Sequence, residues 1–540
     1  MSSFSPTPQQ TLAIDYTGSM VITACPGSGK TTVIKEKIRN ITSNLPEHKG
    51  VIAITFTRKA SSELESRCKA EAHDTKHSFF GTIDSFCLNE IIIPFLSRVW
   101  GGIPTKCKVL KKLAPPYVNF IEKKFIGTPS IININEDSGY KRLYNEGILW
   151  MGSFAALALK VLNDSPSARR YIKSRYSHIF IDEYQDSSLA QHQLFLKINE
   201  LGLCSIAVGD VCQSIYEFRG GDSKLLLELV NNIESFKHFA IDINHRCHPS
   251  IVNYASRLLD PNYHLQSTNE IRVYRMRMNG NYQDIATEIS KWISEFLLHK
   301  YFGLEKAAQI AILAKKESSL TLLCSGLNIN FRLYIDTPLD KTDTNCADLY
   351  KNLLAYKYGT IGTAQELINI VYDGITTNNN TQLLLRKKIK TIRANLPNKV
   401  LLDQFHEISN ILCIEFTEQD DNALIETISK DILIKQFTPL DDSEVQVMTL
   451  HKSKGLEFKI VFHLDLDEWS FPYREFIQNN PIPRYPTLKQ ELNLHYVGLT
   501  RAEDCCILIN AELRQNSSGE FKTSEESYFL KLPQLSCLYK

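Results

Sequence analysis

A glycine-rich loop between a short apolar run and a helix-prone stretch constrains the fold of this chain more than any other feature. The apolar run is Met20–Thr23, and the loop reads Ala24-Cys-Pro-Gly-Ser-Gly-Lys-Thr31. Glycines let backbone N–H groups turn inward around phosphate oxygens, a lysine supplies a cation for the β- and γ-phosphates, and a hydroxyl can bind Mg²⁺. The pattern predicts a strand, a nucleotide-binding loop and a helix, although Ala24 replaces the usual glycine. An ordinary strand-to-helix connection with Lys30 in solvent is the alternative.

A second motif downstream favours nucleotide binding. The run Ser177–Ile181 is apolar enough for a buried strand and ends in Asp182 and Glu183. Because side chains alternate along a strand, adjacent carboxylates at its end can have different partners. One can hold Mg²⁺ while the other orients the attacking water, as phosphoryl transfer to water requires. A solvated acidic strand end is the alternative, and the phosphate loop upstream makes it the weaker one.

Composition excludes several classes of protein. The 540 residues, 43% of them hydrophobic and 22% charged, suffice for two to four globular domains. Since 61 basic residues face 60 acidic ones, any surface that binds nucleic acid must be a local concentration of charge. The longest apolar runs, such as Ile91–Leu96, are too short to span a bilayer. We therefore expect a cytoplasmic protein with no membrane partner.

Strand-like apolar runs followed by helical patterns recur along the chain. They lie at Val51–Thr55, Ile179–Ile181, Cys204–Val208, Ile310–Leu313, Val445–Leu450 and Cys505–Ile509. This alternation is typical of parallel α/β sheets. The runs form two groups, each interrupted by a long and mainly helical stretch, so the pattern predicts two α/β cores with insertions.

Seven further motifs occur in a fixed order around these runs. They are Pro8-Gln-Gln10, Ile54-Thr-Phe-Thr-Arg-Lys-Ala60, Gly81-Thr-Ile-Asp-Ser-Phe86, Val208-Gly-Asp-Val-Cys-Gln-Ser-Ile-Tyr-Glu-Phe-Arg-Gly220, Asn244-His-Arg246, Thr449-Leu-His-Lys-Ser-Lys-Gly-Leu-Glu-Phe458 and Tyr496-Val-Gly-Leu-Thr-Arg-Ala502. With the phosphate loop and the acidic motif, the chain resembles the superfamily 1A DNA helicases of the UvrD, Rep and PcrA type over nearly its whole length.

This resemblance implies the fold class and the domain order. The expected class is α/β, with two RecA-like parallel-sheet motor cores, 1A and 2A, each interrupted by a mainly helical insertion, 1B and 2B. The expected boundaries are 1–89 and 176–235 for core 1A, 90–175 for insertion 1B, 236–351 and 443–540 for core 2A with the C-terminal tail, and 352–442 for a reduced insertion 2B.

The resemblance also implies a DNA-dependent ATPase that uses Mg²⁺ in a cleft between the two cores. The residues expected to act in catalysis are Lys30, Asp182, Glu183, Gln213, Arg246 and Arg501, and Thr31 and Asp182 are expected to hold the metal. The residues expected to bind the nucleotide are Gln10, Ala24, Cys25, Pro26, Gly27, Ser28, Gly29, Lys30, Thr31, Thr32, Lys37, His245, Gly455 and Glu457. Arginine suits the γ-phosphate because its charge is permanent and its planar fork matches phosphate oxygens.

For DNA, the resemblance implies stacking of successive bases on Phe56, Tyr216 and Phe218. Such stacking tolerates any base sequence, which suits a motor. The residues expected near backbone phosphates are Thr82, Ser85, Thr449 and His451. For Phe56 considered alone, a place in the hydrophobic core is the alternative.

Three positions depart from the family pattern. His245 replaces the tyrosine that usually stacks on adenine, Lys37 replaces an arginine that usually helps hold the base, and Phe218 replaces a tryptophan. The first two changes predict loose base selectivity, so that other ribo- and deoxyribonucleoside triphosphates could serve beside ATP. The catalytic groups are all present.

The connecting segments resemble the helicase subunit of the Gabija anti-phage defence system. The segments are Gly81–Phe95, Ala168–Ile172 and Asp336–Asp340, and the second insertion is short for a housekeeping helicase. This resemblance implies 3′-to-5′ movement on DNA and a separate partner, an OLD-type endonuclease with a TOPRIM domain. Two alternatives stay open: a stand-alone repair or recombination helicase, and a DNA-end or nucleotide sensor whose ATPase gates a partner nuclease with little unwinding.

Overall fold

The computed structural model describes residues 5–102, 104, 107–122, 127–215, 221–371, 379–394, 397–475, 483–516 and 518–540. The chain divides into two compact units. The first contains residues 1–243, 338–357 and 361–425, and the second contains residues 244–337, 358–360 and 426–540. Each unit holds one six-stranded parallel sheet, which confirms the predicted α/β class with two parallel-sheet cores.

Up to residue 243 the strands are β1 (Met20–Ala24), β2 (Gly50–Ile54), β3 (Phe79–Gly81), β4 (Lys108–Leu110), β5 (Ile148–Trp150), β6 (Tyr176–Ile181), β7 (Cys204–Gly209) and β8 (Lys237–Ile241). The helices are α1 (Pro8–Asp15), α2 (Lys30–Ser43), α3 (Arg58–Lys69), α4 (Ile83–Phe86), α5 (Ile93–Trp100), α6 (Ile131–Glu136), α7 (Gly139–Asn145), α8 (Phe154–Asp164), α9 (Pro166–Arg175), α10 (Leu189–Glu200) and α11 (Ser223–Asn231).

From residue 244 to 337 follow α12 (Pro249–Leu259), β9 (Val273–Met278), α13 (Tyr282–Leu298), β10 (Ile310–Ala314), α14 (Glu317–Cys324) and β11 (Phe331–Tyr334). A helical segment then contains α15 (Pro338–Thr342), α16 (Asn345–Tyr358), α17 (Ala364–Val371), α18 (Asn379–Thr391), α19 (Asn398–Ile411) and α20 (Glu418–Ile428). The last elements are α21 (Asp431–Ile434), β12 (Val445–Thr449), β13 (Phe458–His463), α22 (Leu488–Leu499), β14 (Ala502–Ala511), β15 (Leu513–Gln515) and β16 (Phe521–Thr523).

The sheet of the first unit has the strand order β3-β2-β6-β7-β1-β8. Its central strands are apolar on both faces, as expected where helices cover both sides of a parallel sheet. Ile52 and Ile179 pack into the core that contains α8, whereas Val51 and Phe180 pack into the core that contains α2. This two-sided packing holds the carboxyl ends of the strands along one edge.

The sheet of the second unit has the strand order β11-β12-β10-β13-β14-β9. Its strands are also mutually parallel, and β10 is buried along its whole length between β12 and β13. The core on one side includes Ile285 and Ile289 of α13, which pack with Ile310 and Phe462 of the sheet. No helix in the described ranges is long and apolar enough to cross a membrane.

The unit boundaries differ from the sequence-based ones in two places. Strand β8 pairs with β1, so the first unit continues beyond residue 235. β8 lacks the apolar run of the other strands because it lies at the sheet edge with Lys237, His238 and Ala240 exposed. Residues 338–357 and 361–425 group with the first unit, so most of the stretch expected as insertion 2B, 352–442, belongs to that unit.

Candidate nucleotide-binding site

The topology of the first sheet brings three predicted motifs to one edge. The phosphate loop follows β1, Asp210 follows β7, and Asp182 and Glu183 follow β6. These three strands are consecutive neighbours in the sheet and parallel. In open α/β sheets ligands bind outside the carboxyl ends of the strands, so this edge is the candidate nucleotide-binding site.

The phosphate loop has the backbone geometry of an anion-binding turn. Gly27 and Gly29 have φ values of 67° and 81°, which residues with a Cβ rarely adopt. Gly29 caps the N-terminus of α2, so Lys30 and Thr31 are the first two residues of that helix. Ser28 is buried, and its hydroxyl has no hydrogen-bond partner among the described residues. Helix N-termini bind anions through their backbone N–H groups, so the loop fits a polyphosphate.

The other predicted loop residues occupy the same turn. Ala24 ends β1, Cys25 and Pro26 open the loop, and Thr32 lies in the first turn of α2. The Cys25 N–H donates to the Ile241 carbonyl at 3.1 Å, which anchors the start of the loop to β8. The alternative of an ordinary strand-to-helix connection does not explain two left-handed glycines beside a buried, unpaired hydroxyl.

The acidic motif begins where β6 leaves the sheet. The Asp182 N–H donates to the Ile54 carbonyl at 3.0 Å, and the Asp182 carboxylate accepts the N–H of Glu183 at 2.9 Å. Glu183 has φ 53°, so the chain turns sharply at this residue. The backbone therefore turns sharply at the second of the two carboxylates, directly after the end of β6.

Two further buried polar residues, Gln185 and Asp210, also belong to the site, although neither was expected there. Gln185 Nε2 donates to Glu183 Oε2 at 2.5 Å, and Asp210 Oδ2 accepts from Gln213 Nε2 at 2.9 Å. Burial raises the pKa of the Asp210 carboxyl, the Glu183 carboxylate adds to this shift, and the Lys30 ammonium opposes it. Lys30, Glu183, Asp210 and Gln213 therefore share one electrostatic environment. Its position directly after the buried strand β7 is a signal from which Asp210 could have been predicted.

Gln10 and Lys37 have other partners than the expected base. Gln10 Oε1 accepts the Thr7 N–H at 2.8 Å, and its Nε2 donates to the Ser28 carbonyl at 2.8 Å. Lys37 Nζ donates to the carbonyls of Ala13 and Ile14, both at 3.1 Å, and to that of Tyr16.

Both side chains are buried, and burial lowers the pKa of the Lys37 ammonium. Their expected contacts with the base stay a prediction. Gln10 supports the phosphate loop, and Lys37 caps the end of α1.

In the second unit the predicted arginines converge on one segment. Arg246 Nε lies 2.8 Å from Glu457 Oε2, and its guanidinium reaches the Thr500 carbonyl at 3.5 Å. Arg501 is only 2% exposed and donates to the carbonyls of Val497 and Leu456, both at 3.1 Å. The other two residues of this unit that are expected to bind nucleotide are neighbours of these in sequence. His245 precedes Arg246 and is exposed, and Gly455 lies two residues before Glu457 with φ 84°.

Two family models match the chain, one in its N-terminal part and one in its C-terminal part. The model described as AAA domain matches residues 10–219, and the model described as UvrD-like helicase C-terminal domain matches residues 354–512. The chain belongs to the UvrD-like DNA helicases of superfamily 1A.

Full-length relatives agree. This UvrD-like helicase is 28% identical to Gabija protein GajB of Bacillus cereus (strain VD045), over 91% of this chain and 93% of that protein. It is 24% identical to ATP-dependent DNA helicase Rep of Buchnera aphidicola subsp. Schizaphis graminum, over 96% of this chain and 94% of that protein. It is 23% identical to ATP-dependent DNA helicase PcrA of Bacillus subtilis (strain 168), over 98% of this chain and 85% of that protein.

The residues that this UvrD-like helicase is expected to use for DNA lie at strand ends. Phe56 and Thr82 follow the neighbouring strands β2 and β3, and Phe56 is 41% exposed, which argues against the alternative that places it in the core. The hydroxyls of Thr82 and Ser85 lie 2.9 Å apart and cap α4. In the second unit Thr449 ends β12 and His451 follows it. Tyr216 and Phe218 lie outside the described residues.

Proposed function

We propose that this UvrD-like helicase is a DNA-stimulated ATPase that moves 3′ to 5′ along one strand and acts in anti-phage defence. The observation that carries the proposal is the convergence of the phosphate loop, Asp182, Glu183, Asp210 and Gln213 at one sheet edge. The defence role is supported by the similarity to Gabija protein GajB, and the polarity rests on the resemblance to its family.

The residues of the first unit suit magnesium-dependent hydrolysis of a nucleoside triphosphate. A Thr31 hydroxyl and an Asp182 carboxylate are hard oxygen donors, and Mg²⁺ typically takes only one or two protein ligands beside phosphate oxygens and water. Bound Mg²⁺ would neutralise developing charge on the phosphates. We assign Lys30 to the β- and γ-phosphates, Glu183 to orienting the attacking water, and Gln213 to sensing the γ-phosphate.

The arginines of the second unit complete the proposed mechanism. Arg246 and Arg501 would contribute positive charge to the transferred phosphoryl group, a contribution typically worth about 10³ to 10⁵ in rate. Phe56 and the aromatic side chains of the segment after Gln213 would stack bases.

ATP hydrolysis by the purified protein tests the motor assignment. It is measured without DNA, with single-stranded DNA and with free-ended duplex. We expect strong stimulation by DNA, and we expect Lys30→Ala and Glu183→Gln to lower kcat by about 10²-fold or more, since each removes a group acting on the reacting phosphate. Lys35→Ala, on the same helix but paired with Glu36 at 2.6 Å, is the matched control. Parental turnover by Glu183→Gln would contradict the assignment.

Two further assays separate the finer alternatives. Strand displacement on duplexes with a 3′ or a 5′ tail reports polarity, and robust unwinding by the isolated chain would remove the reason for a sensor that only gates a nuclease. Co-purification with an OLD/TOPRIM nuclease from the same system, together with phage plating, tests the defence role. Full activity in repair with no such partner would favour the stand-alone helicase.

A further inference from the structure

Gln185 joins two motifs of the candidate site through a fully buried amide. It lies two residues after Glu183 and is 0% exposed. Its Nε2 donates to Glu183 Oε2 at 2.5 Å, and its Oε1 accepts the Asp210 N–H at 3.0 Å. Both ends of the side chain are therefore engaged, one at the end of β6 and the other at the end of β7.

The hydrogen-bonded path continues beyond Asp210. The Asp210 carboxylate accepts the Cys212 N–H through Oδ1 at 2.9 Å and the Gln213 amide through Oδ2 at 2.9 Å. Hydrogen bonds thus link Glu183 to Gln185 and Gln185 to the Asp210 backbone. The Asp210 carboxylate carries the connection on to Gln213. Buried polar networks of this kind hold their members in one geometry when every member is satisfied.

The backbone opposite Gln185 is shaped to admit it. A Cβ on Gly209 would lie 2.5 Å from Gln185 Oε1, closer than real Cβ atoms approach. Glycine at the end of β7 therefore lets the amide reach the Asp210 N–H. Gln185 is held by the sheet itself and not by a solvent-exposed loop.

We infer that Gln185 is a positioning residue that orients the Glu183 carboxylate towards the attacking water and couples it to Gln213. A neutral amide suits this task because it fixes a carboxylate oxygen without cancelling the negative charge on which the activation of water depends. The inference rests on the proposed function and adds to it a residue that acts through Glu183.

Gln185→Glu is the sharpest variant because it keeps the shape of the side chain. A glutamate oxygen can still accept the Asp210 N–H, but its other oxygen faces the Glu183 carboxylate, so the two groups either repel each other or share a proton, and Glu183 loses its fixed, fully ionised state. We expect kcat for DNA-stimulated hydrolysis to fall by about 10²-fold, the typical effect of a misplaced catalytic group, while the KM for ATP changes less than threefold. Gln185→Met, which cannot hydrogen-bond, should lower kcat in the same direction.

Gln191→Glu is the matched control. It makes the same chemical change at the start of α10, where the Gln191 Oε1 accepts the Ser188 N–H at 2.9 Å and a glutamate oxygen can do the same. We expect this variant to keep the parental kcat. Thermal unfolding and single-stranded DNA binding without nucleotide are measured for all variants. Gln191→Glu should keep parental values for both, whereas the Gln185 variants should lose stability, as the loss of a buried hydrogen bond requires, but should stay folded and keep parental DNA binding.

Two outcomes would overturn the inference. Parental kcat in Gln185→Glu would show that Glu183 needs no orientation from Gln185, and a parallel loss of kcat, ATP affinity and single-stranded DNA binding would assign Gln185 a structural role. Failure of the proposed function is recognised separately, because then Lys30→Ala and Glu183→Gln would also retain turnover.

Discussion

At the scale of single residues, the environment of a side chain decides its role more than its place in a motif. Gln10 and Lys37 stand where the family pattern leads one to expect contacts to the base, yet their polar atoms bond to the protein itself. Lys37 supplies positive charge to the last carbonyls of α1, which have no partner within that helix. The sequence could predict that a cation occupies this position but not which carbonyls surround it.

Lys37→Met tests the capping role. Because the variant leaves buried carbonyls without their donor, we expect the free energy of unfolding to fall by about 2 kcal/mol in urea titrations. The ratio of kcat/KM for ATP to that for GTP should stay within twofold of the parental ratio, since the Lys37 ammonium is occupied by three backbone carbonyls. Lys35→Met, whose parent side chain is half-buried and pairs with Glu36, is the control. A changed ATP:GTP ratio at unchanged stability would return Lys37 to the nucleotide.

At the scale of elements, the apolar runs predicted seven of the twelve strands of the two large sheets and missed β3, β8, β9, β11 and the buried β13. Val51–Thr55 and Cys204–Val208 overlap β2 and β7, because strands buried on both faces must be continuously apolar. β8 was missed because an edge strand with exposed residues lacks that signal. The acidic motif and the phosphate loop were predictable from local spacing. The contact of Gln185 with Asp210 was not, because it depends on which strands become neighbours.

An amide on α16 bonds to the backbone of β4 within the first unit. Asn345 Nδ2 donates to the Val109 carbonyl at 3.0 Å, and its Oδ1 accepts the Lys111 N–H at 2.7 Å. One edge of β4 pairs with β5. On the other edge, the Asn345 amide makes the two hydrogen bonds that a neighbouring strand's peptide group would make. Lys111 adds ion pairs to Asp343 at 2.5 Å and Asp348 at 3.0 Å, which are too exposed to contribute much.

Asn345→Ala should loosen this contact. Losing both hydrogen bonds exposes the Lys111 amide, so we expect hydrogen exchange at 107–111 and at 338–345 to quicken by about tenfold, equivalent to about 1.4 kcal/mol. Exchange is followed by mass spectrometry. Asn352→Ala on the same helix removes only a bond to the Asp348 carbonyl and is the control. Unchanged exchange in Asn345→Ala would show that the helices of the second insertion hold their place without the amide.

At the scale of the whole molecule, each unit has its own hydrophobic core and its own buried polar cluster. In the second unit Asp467 is 1% exposed and accepts hydrogen bonds from Tyr282 at 3.1 Å, from Ser524 at 2.8 Å and from Asn510. Burial raises the pKa of this carboxyl to about 6 from 3.8. The stability of the second unit is therefore expected to respond to pH up to about pH 6, well above the pKa values of exposed carboxylates.

The direction of this response follows from proton binding. Between pH 4 and 6 the folded unit retains the Asp467 proton while the unfolded chain releases it, so raising the pH favours unfolding. The contribution of the protonated Asp467 to the stability of the folded unit is complete below about pH 4 and is lost above about pH 6. A pKa difference of this size corresponds to about 3 kcal/mol in the free energy of unfolding. Asp467→Asn cannot titrate and should show no such loss, whatever its absolute stability.

Urea unfolding between pH 4.5 and 7 measures the effect in one unit alone. Replacing Trp100 and Trp150 by phenylalanine leaves Trp292 and Trp469 as fluorescent reporters of the second unit. Subtracting the pH profile of Asp467→Asn from that of the parent isolates the titration of Asp467 from that of every other group. Asp442→Asn, at an exposed residue paired with Lys306, is the control and should keep the parental profile. If Asp467→Asn also keeps it, the Asp467 carboxyl is ionised in the folded protein throughout this range, and its three donors outweigh its burial.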